Sequence, residues 1–426
     1  MKEVIKIEGG QRLNGTVRVS GSKNATVAVI PACILASKPV TVYGVPDISD
    51  VDALMQMLRE LNVDVKMDED RTLHIDPTHM KNTPMVSDVV SKLRASYYFM
   101  GALLGKYKKV EILMPGGCPL GNRPIDLHLK GFKALGANIH YSEDGVYTIE
   151  APELKGANIF LDISSVGATI NIMLAAVYAK GRTIIDNAAR EPEIIDIATL
   201  LNKMGAKIRG SGTSTLIIDG VEELNGCMHE IIPDRIEAAT YILMAAAMAD
   251  DVVVENIIPK HLEAVTSKLE ELGINMEVSS DSIHIFDNDP TAELHPVDIT
   301  TKPYPGFATD AQQPFTPLLT RANGDCEVLE EIYPKRFLHC YELNKMGAHI
   351  DVDMDKGQAI IHGGTPLHGA KVRATDLRCG AGLVVAGLMA DGETEIDDIY
   401  HIDRGYDNLD GKLRQLGAKI WREKVE

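Results

Sequence analysis

Apolar residues along the chain fall into two kinds of helical stretch. Six are apolar on nearly every side: residues 25–35, 95–104, 168–179, 236–249, 314–320 and 379–390. A helix with no polar face has no side suited to water, so these predict buried helices. Six others space their apolar positions three and four apart, as in 51–61 and 261–272, predicting helices with one solvated face. Each of these ends on a shared motif: Leu61-Asn62-Val63, Leu135-Gly136-Ala137, Met204-Gly205-Ala206, Leu272-Gly273-Ile274, Met346-Gly347-Ala348 and Leu416-Gly417-Ala418. The copies begin 74, 69, 68, 74 and 70 residues apart. Gly directly after the last periodic residue, with Asn62 in the first copy, is a helix stop, because these residues tolerate a left-handed backbone. Alternating segments follow, such as Asn138-Ile139-His140-Tyr141, then a polar turn and a second strand over 145–150. A short strand also follows each apolar helix, as at 40–43 and 183–186. One repeat is therefore buried helix, strand, amphipathic helix, strand, turn, strand.

The sixth copy ends soon after Ile420, without its closing strand. The N-terminal Val4-Ile5-Lys6-Ile7 and residues 15–19 are expected to complete it, so the termini should meet. Three repeats per domain divide the chain into residues 1–21 with 235–426, and residues 22–234. The crossings fall near Ser20 to Ser22 and near Pro233. A cleft between two such domains is the expected place for a substrate.

Composition narrows the class. Over 426 residues, 43 Lys and Arg stand against 61 Asp and Glu, a net charge of −18. Such a field repels nucleic acid and anionic membrane surfaces, which makes any local cluster of cations informative. The six cysteines (Cys33, Cys118, Cys227, Cys326, Cys340 and Cys379) show no CxxC and no ligand spacing, so neither a disulfide framework nor a metal centre is expected. The N-terminus lacks a signal-like apolar run, and stretches such as 238–249 are too short to span a membrane. A cytoplasmic protein is expected, with no obligate protein partner.

Candidate chemistry sits at the starts of the buried helices. Ser165, Asp234 and Asp376 there fit two readings, helix caps or ligand contacts. Lys23 and Arg94 are harder to assign to folding, because a cation opposes the positive end of the helix dipole. A bound anion resolves the conflict, with a local carboxylate as the plainer alternative. The second repeat carries extra length, Pro115-Gly116-Gly117-Cys118-Pro119-Leu120-Gly121-Asn122-Arg123, which predicts a mobile lid with a cation beside a reactive thiol. Arg404, in Tyr400-His401-Ile402-Asp403-Arg404, either pairs with Asp403 or clamps an anion. His128 and His401 read as ordinary polar residues. Without a P-loop or a GxGxxG after a strand, no nucleotide cofactor is expected.

These landmarks, together with Asn187-Ala188-Ala189-Arg190-Glu191-Pro192-Glu193 and Ala374-Thr375-Asp376-Leu377-Arg378, resemble the UDP-N-acetylglucosamine 1-carboxyvinyltransferase family of enolpyruvyl transferases from about Gly9 onward. The resemblance implies a two-domain inside-out α/β barrel with six βαβαββ repeats. It implies enolpyruvyl transfer from phosphoenolpyruvate to the 3′-hydroxyl of UDP-N-acetylglucosamine, the first committed step toward peptidoglycan, without cofactor or metal. By resemblance Cys118 is the proton donor and Asp310 the base, with Asp376 also near the chemistry. Lys23, Asn24, Arg123, Arg378 and Arg404 would hold phosphoenolpyruvate. Arg94, Arg123, Pro124, Ile125, Asp126, Leu127, Ser164, Ser165, Val166, Asp310 and Ile332 would line the nucleotide-sugar site. Fosfomycin, which alkylates the family's cysteine, would act at Cys118. The rivals are a 5-enolpyruvylshikimate-3-phosphate synthase on the same fold, and a silent paralogue that scaffolds or regulates.

Overall fold

The computed structural model describes residues 1–114 and 124–426. Among them the strands form six sheets, five of four strands and one of three, in which an isolated parallel bridge from Met85 to Ile112 stands at the edge of Lys109–Leu113. The sheets share one plan. In the third, Asn158–Phe160 runs parallel to Arg182–Asp186, which pairs antiparallel with Thr215–Asp219, which pairs antiparallel with Lys207–Arg209. A short parallel strand ahead of each buried helix thus completes a βαβαββ unit. That strand is too brief to register in a pattern of alternation.

The chain divides into two compact units. One comprises Met1–Ser20 and Pro233–Glu426, and the other is built from Gly21 through Ile232. In the first, the buried helices Arg235–Met248, Thr309–Leu319 and Leu377–Met389 pack against one another. In the second, Tyr98–Tyr107 packs against both Lys23–Ala32 and Val166–Ala176. Side chains such as Ile30, Leu104, Ile172, Leu243 and Leu383 are wholly buried, each contributing about 2 kcal/mol of transfer free energy. The amphipathic helices, for example Ser49–Glu60 and Glu263–Leu272, turn their polar faces to solvent.

The N-terminal strands divide between two sheets, which corrects the expectation that both complete the sixth repeat. Lys2–Glu8 pairs antiparallel with Glu393–Asp397 and with Lys419–Val425, taking the closing place. Leu13–Arg18 instead runs parallel to Ala249–Glu255 in the fourth repeat's sheet. The leading strand of the first repeat is correspondingly Met228–Glu230, parallel to Val40–Tyr43. Leading strands therefore exchange between repeats one and four at the two crossings. Backbone bonds fix each side of the exchange: Asp234 N donates to Ser20 O at 2.9 Å in one unit, and Ser22 N to Ile232 O at 2.8 Å in the other.

The fifth buried helix is longer than expected, Thr309–Leu319, and begins ahead of Pro314. Its first half escaped the apolar pattern because Gln312 and Gln313 are polar yet buried. Gln312 Nε2 donates to Glu330 Oε2 and Arg336 O, and Gln313 Nε2 donates to Asp376 Oδ1, so neither amide is left unsatisfied. No helix among the described residues is long and apolar enough to cross a membrane.

Candidate functional site

In the unit containing both termini, the helix starts gather charge. Asp310, in the first turn of Thr309–Leu319, lies between two buried guanidiniums: Arg336 Nη1 is 2.9 Å from its Oδ1 and Arg378 Nη2 is 3.6 Å from its Oδ2. Arg336 Nη1 also donates to Thr309 Oγ1 at 3.0 Å. Burial works against the charge of Arg336, but Asp310 and Asp376 more than offset it, and its pKa is raised. Arg378 follows the same logic: burial opposes its charge, Tyr406 and Asp310 overcome it, and its guanidinium lies 5.3 Å from the Tyr406 ring. Arg378 Nη1 and Arg336 Nε are buried with no acceptor among the described residues. Cationic donors left over after pairing are what an anionic ligand uses.

Asp376 caps its helix, accepting from Arg378 N at 2.9 Å and Cys379 N at 3.0 Å, and also from Gln313 Nε2 at 3.1 Å. Its carboxylate is buried and committed, whereas the Asp310 side chain is 26% exposed. Asp234 is likewise a cap, accepting from Ile236 N and Glu237 N. Arg404 ends the short helix Tyr400–Asp403 and helps to hold the pKa of buried His401 down, after burial itself. Asp403 is engaged by Arg422 at 2.6 Å. Ile332 lies half-buried ahead of Leu338–Lys345, its N–H donating to Glu330 Oε1 at 3.2 Å.

In the other unit, Ser22 caps Lys23–Ala32, and Lys23 Nζ lies 3.7 Å from Asp50 Oδ2, the local carboxylate considered as the plainer reading. Asn24 is half-buried in the same first turn. Three of the segments expected at the nucleotide sugar approach one another beside Tyr97 and His128, whereas Asp310 and Ile332 belong to the unit containing both termini. The Arg94 guanidinium lies 5.5 Å from the Tyr97 ring, and the Tyr97 and His128 rings are 4.8 Å apart. A Cβ on Gly167 would stand 2.6 Å from Tyr97 Oη and 2.9 Å from His128 Cε1. Three segments thereby meet: Arg94; Pro124, Ile125, Asp126 and Leu127 leading into His128; and Ser164, Ser165 and Val166 leading into Gly167. Ile125 is buried, Leu127 half-buried, and Pro124 and Asp126 exposed. Ser165 accepts from Ala168 N as a helix cap, and Ser164 Oγ donates to Ala188 O at 3.2 Å.

His128, expected as an ordinary polar residue, is buried. Its Nδ1 faces Asn171 Nδ2 at 3.0 Å, while Asn171 also accepts from Gly101 N and donates to Tyr97 O. Burial, aided by Arg94, lowers its pKa to about 3, so the ring is neutral. The described cysteines are free thiols, and burial pushes Cys379 up to about 12. Cys118 and Arg123, with the lid expectation, lie outside the described residues. Arg336 was missed in the sequence. It sits in a loop with no periodicity, and only tertiary packing brings it to Asp310.

The family model described as EPSP synthase (3-phosphoshikimate 1-carboxyvinyltransferase) matches residues 7–422. The chain is 56% identical over 421 residues to UDP-N-acetylglucosamine 1-carboxyvinyltransferase 2 of Geobacillus kaustophilus, covering 99% of this chain and 97% of that protein. It is 55% identical to the Bacillus subtilis protein of the same name, with 99% and 97% covered. It is 54% identical to UDP-N-acetylglucosamine 1-carboxyvinyltransferase 1 of Staphylococcus haemolyticus, with both chains covered fully. Among solved structures, the enolpyruvyl transferase NikO from Streptomyces tendae superposes with a TM-score of 0.90 at 27% identity, over all of both chains. EPSP synthase from Acinetobacter baumannii shares the fold, with a TM-score of 0.74 at 18% identity over all of both chains. A matched family model spanning nearly the whole chain, and relatives above half identity over its length, place it without ambiguity: the chain belongs to the UDP-N-acetylglucosamine 1-carboxyvinyltransferase family, within the enolpyruvyl transferases.

Proposed function

We propose that this protein transfers the enolpyruvyl group of phosphoenolpyruvate to the 3′-hydroxyl of UDP-N-acetylglucosamine, releasing phosphate, in the cytoplasm and as the committed entry to peptidoglycan. The observation that carries this is full-length identity of 54–56% to relatives bearing that activity in their names.

The reaction is an addition followed by an elimination. The sugar oxygen attacks C2 of phosphoenolpyruvate, C3 takes a proton, and the hydroxyl proton goes to a base. Phosphate then leaves C2 and a proton leaves C3, restoring the double bond in the ether product. Cys118 supplies the proton to C3. Asp310 takes the hydroxyl proton; its partial exposure suits it better than Asp376, whose carboxylate is buried in capping bonds. A carboxylate offers about four lone-pair directions, so a substrate hydroxyl can share Asp310 with its arginine partners. Lys23, Asn24, Arg123, Arg378 and Arg404 hold the phosphate and carboxylate of phosphoenolpyruvate, and guanidinium forks match both groups. Fixed cations also stabilise the charge of the tetrahedral adduct without reorganising. The cluster of Arg94, residues 124–127 and residues 164–166 around neutral His128 receives the nucleotide sugar, and Ile332 contributes to the same binding.

Replacing the proton donor tests the assignment. Cys118→Ser should cut turnover by about 10²–10⁴-fold, read as the enolpyruvyl ether formed from both substrates by mass spectrometry. Full activity in that variant would remove Cys118 from the chemistry.

A further inference from the structure

Away from these residues, the strands His349–Asp353 and Gln358–His362 pair antiparallel, with His349 opposite His362 and Asp351 opposite Ile360. His349, Asp351 two positions on, and cross-strand His362 therefore project from one face of the sheet. The two imidazole rings lie 4.3 Å apart. His362 Nε2 is 2.7 Å from Asp351 Oδ2, and His349 Nε2 is 3.9 Å from Asp351 Oδ1. One donor atom from each residue lies within 4.8 Å of the others, and His349 and Asp351 are exposed. Behind His362, its Nδ1 lies 2.9 Å from Asp325 Oδ1. Asp325 precedes the strand Cys326–Leu329, which pairs with the other edge of Gln358–His362. A carboxylate on Nδ1 fixes the ring so that Nε2 is the nitrogen turned toward Asp351.

We propose that His349, Asp351 and His362 form a binding site for a divalent transition metal of the Zn²⁺ class, with Asp325 orienting His362 from behind. Two imidazole nitrogens and one carboxylate oxygen suit Zn²⁺, Ni²⁺ or Cu²⁺, whereas Mg²⁺ and Ca²⁺ favour all-oxygen sites. Donor atoms around a tetrahedral zinc at its usual bond lengths stand about 3.3 Å apart. The donor atoms, one from each residue, lie within 4.8 Å of one another, so torsions of these surface side chains draw them to that spacing. The metal replaces the hydrogen now shared between His362 and Asp351, and water takes the remaining place. Bound there, it clips two strands directly and a third through Asp325. Among the described residues no other group of three such side chains comes so close together. The other surface pairs, His74 with Asp68 and His284 with Asp251, bring one imidazole each and serve as contrasts.

The test is calorimetric titration of the full chain, cleared of metal by chelation, with Zn²⁺ alone. Wild type should bind a single equivalent. His349→Gln and His362→Gln should each weaken binding at least about 100-fold and Asp325→Asn about 10-fold, the scale on which orienting partners act. His284→Gln should bind as wild type does. Wild-type protein should also give the visible ligand-field bands of a low-coordinate site with Co²⁺. Absence of Zn²⁺ binding, affinity unchanged in both histidine variants, or a Co²⁺ spectrum no different from the free ion would each overturn the proposal. Should a histidine variant fail to fold, the wild-type Co²⁺ spectrum decides.

Discussion

Asp310 and its two guanidiniums show how residue-scale electrostatics shape the candidate site. Arg336 and Arg378 are both buried, and Asp310 between them offsets the cost of holding their charge there. Removing one partner of a buried pair leaves the other uncompensated. Arg336→Ala should therefore destabilise the protein, by less than the ~3 kcal/mol of a fully buried pair because Asp310 is part exposed and keeps Arg378, read by urea unfolding; a change near zero would mean that Asp310 does not need it. Two buried histidines give a pH signature. His128 and His339 each have a pKa lowered from 6.5 to about 3, chiefly by burial. The unfolded chain takes up these protons near pH 6.5 and the folded chain does not. Their stabilising contribution is therefore complete above pH 6.5 and is lost as pH falls toward 3, by up to about 1.4 kcal/mol per pH unit for each ring. Glu237 acts with the opposite sign: burial raises it to about 7 despite Lys412 at 2.8 Å, so its contribution is lost as pH rises from 4.5 through 7. A difference measurement separates the two. Between pH 6 and 4, His128→Gln should lose stability less steeply than wild type; parallel slopes would show that His128 is not held neutral. At this scale Lys23 and Arg94 stood out because a cation at a helix start is electrostatically misplaced, and the structure gives Lys23 the Asp50 carboxylate at 3.7 Å. Arg336 and the His128–Asn171 pair were not, since tertiary packing alone gives them partners. The His349–Asp351–His362 group was hidden likewise: a His two positions before an Asp means little until strand register brings a second His opposite.

Among the elements, the helix stop that marks each repeat has a backbone cause. Gly136, Gly205, Gly273, Gly347 and Gly417 have φ between 97° and 110°, and Asn62 has φ 59°. A Cβ on Gly205 would meet nothing within 4 Å, so Gly205→Ala isolates the cost of a left-handed alanine, about 1 kcal/mol. Gly101, inside Tyr98–Tyr107, is the reverse case: its backbone is ordinary, but a Cβ would stand 2.3 Å from Asn171 O on the neighbouring buried helix. Gly101→Ala should therefore cost several times as much as Gly205→Ala in the same thermal or urea unfolding experiment. Equal costs would contradict the close helix crossing. The period of the pattern located the helices, and it failed where buried polar groups interrupt it, at Gln312 and Gln313. Leading strands such as Asn158–Phe160 and Met228–Glu230 were illegible for another reason, since three residues cannot establish an alternation.

For the whole molecule, the repeat is the unit that gives the chain its two compact halves, and the N-terminal strand completes the sixth repeat's sheet. Lys2–Glu8 sits between Glu393–Asp397 and Lys419–Val425, with Lys2 opposite Val425. The missing last strand could be inferred from the count of repeats. The parting of the two N-terminal strands into different sheets could not, because nothing local states which parallel neighbour a strand will choose. A shared fold does not choose the acceptor either, since EPSP synthase has the same architecture; the proposed acceptor rests on full-length identity to relatives named as UDP-N-acetylglucosamine 1-carboxyvinyltransferases. The decisive measurement is phosphate release from phosphoenolpyruvate by the purified protein, with UDP-N-acetylglucosamine or shikimate 3-phosphate as acceptor. Release should require UDP-N-acetylglucosamine and remain at background with shikimate 3-phosphate. Turnover with shikimate 3-phosphate alone, or with neither, would contradict the account.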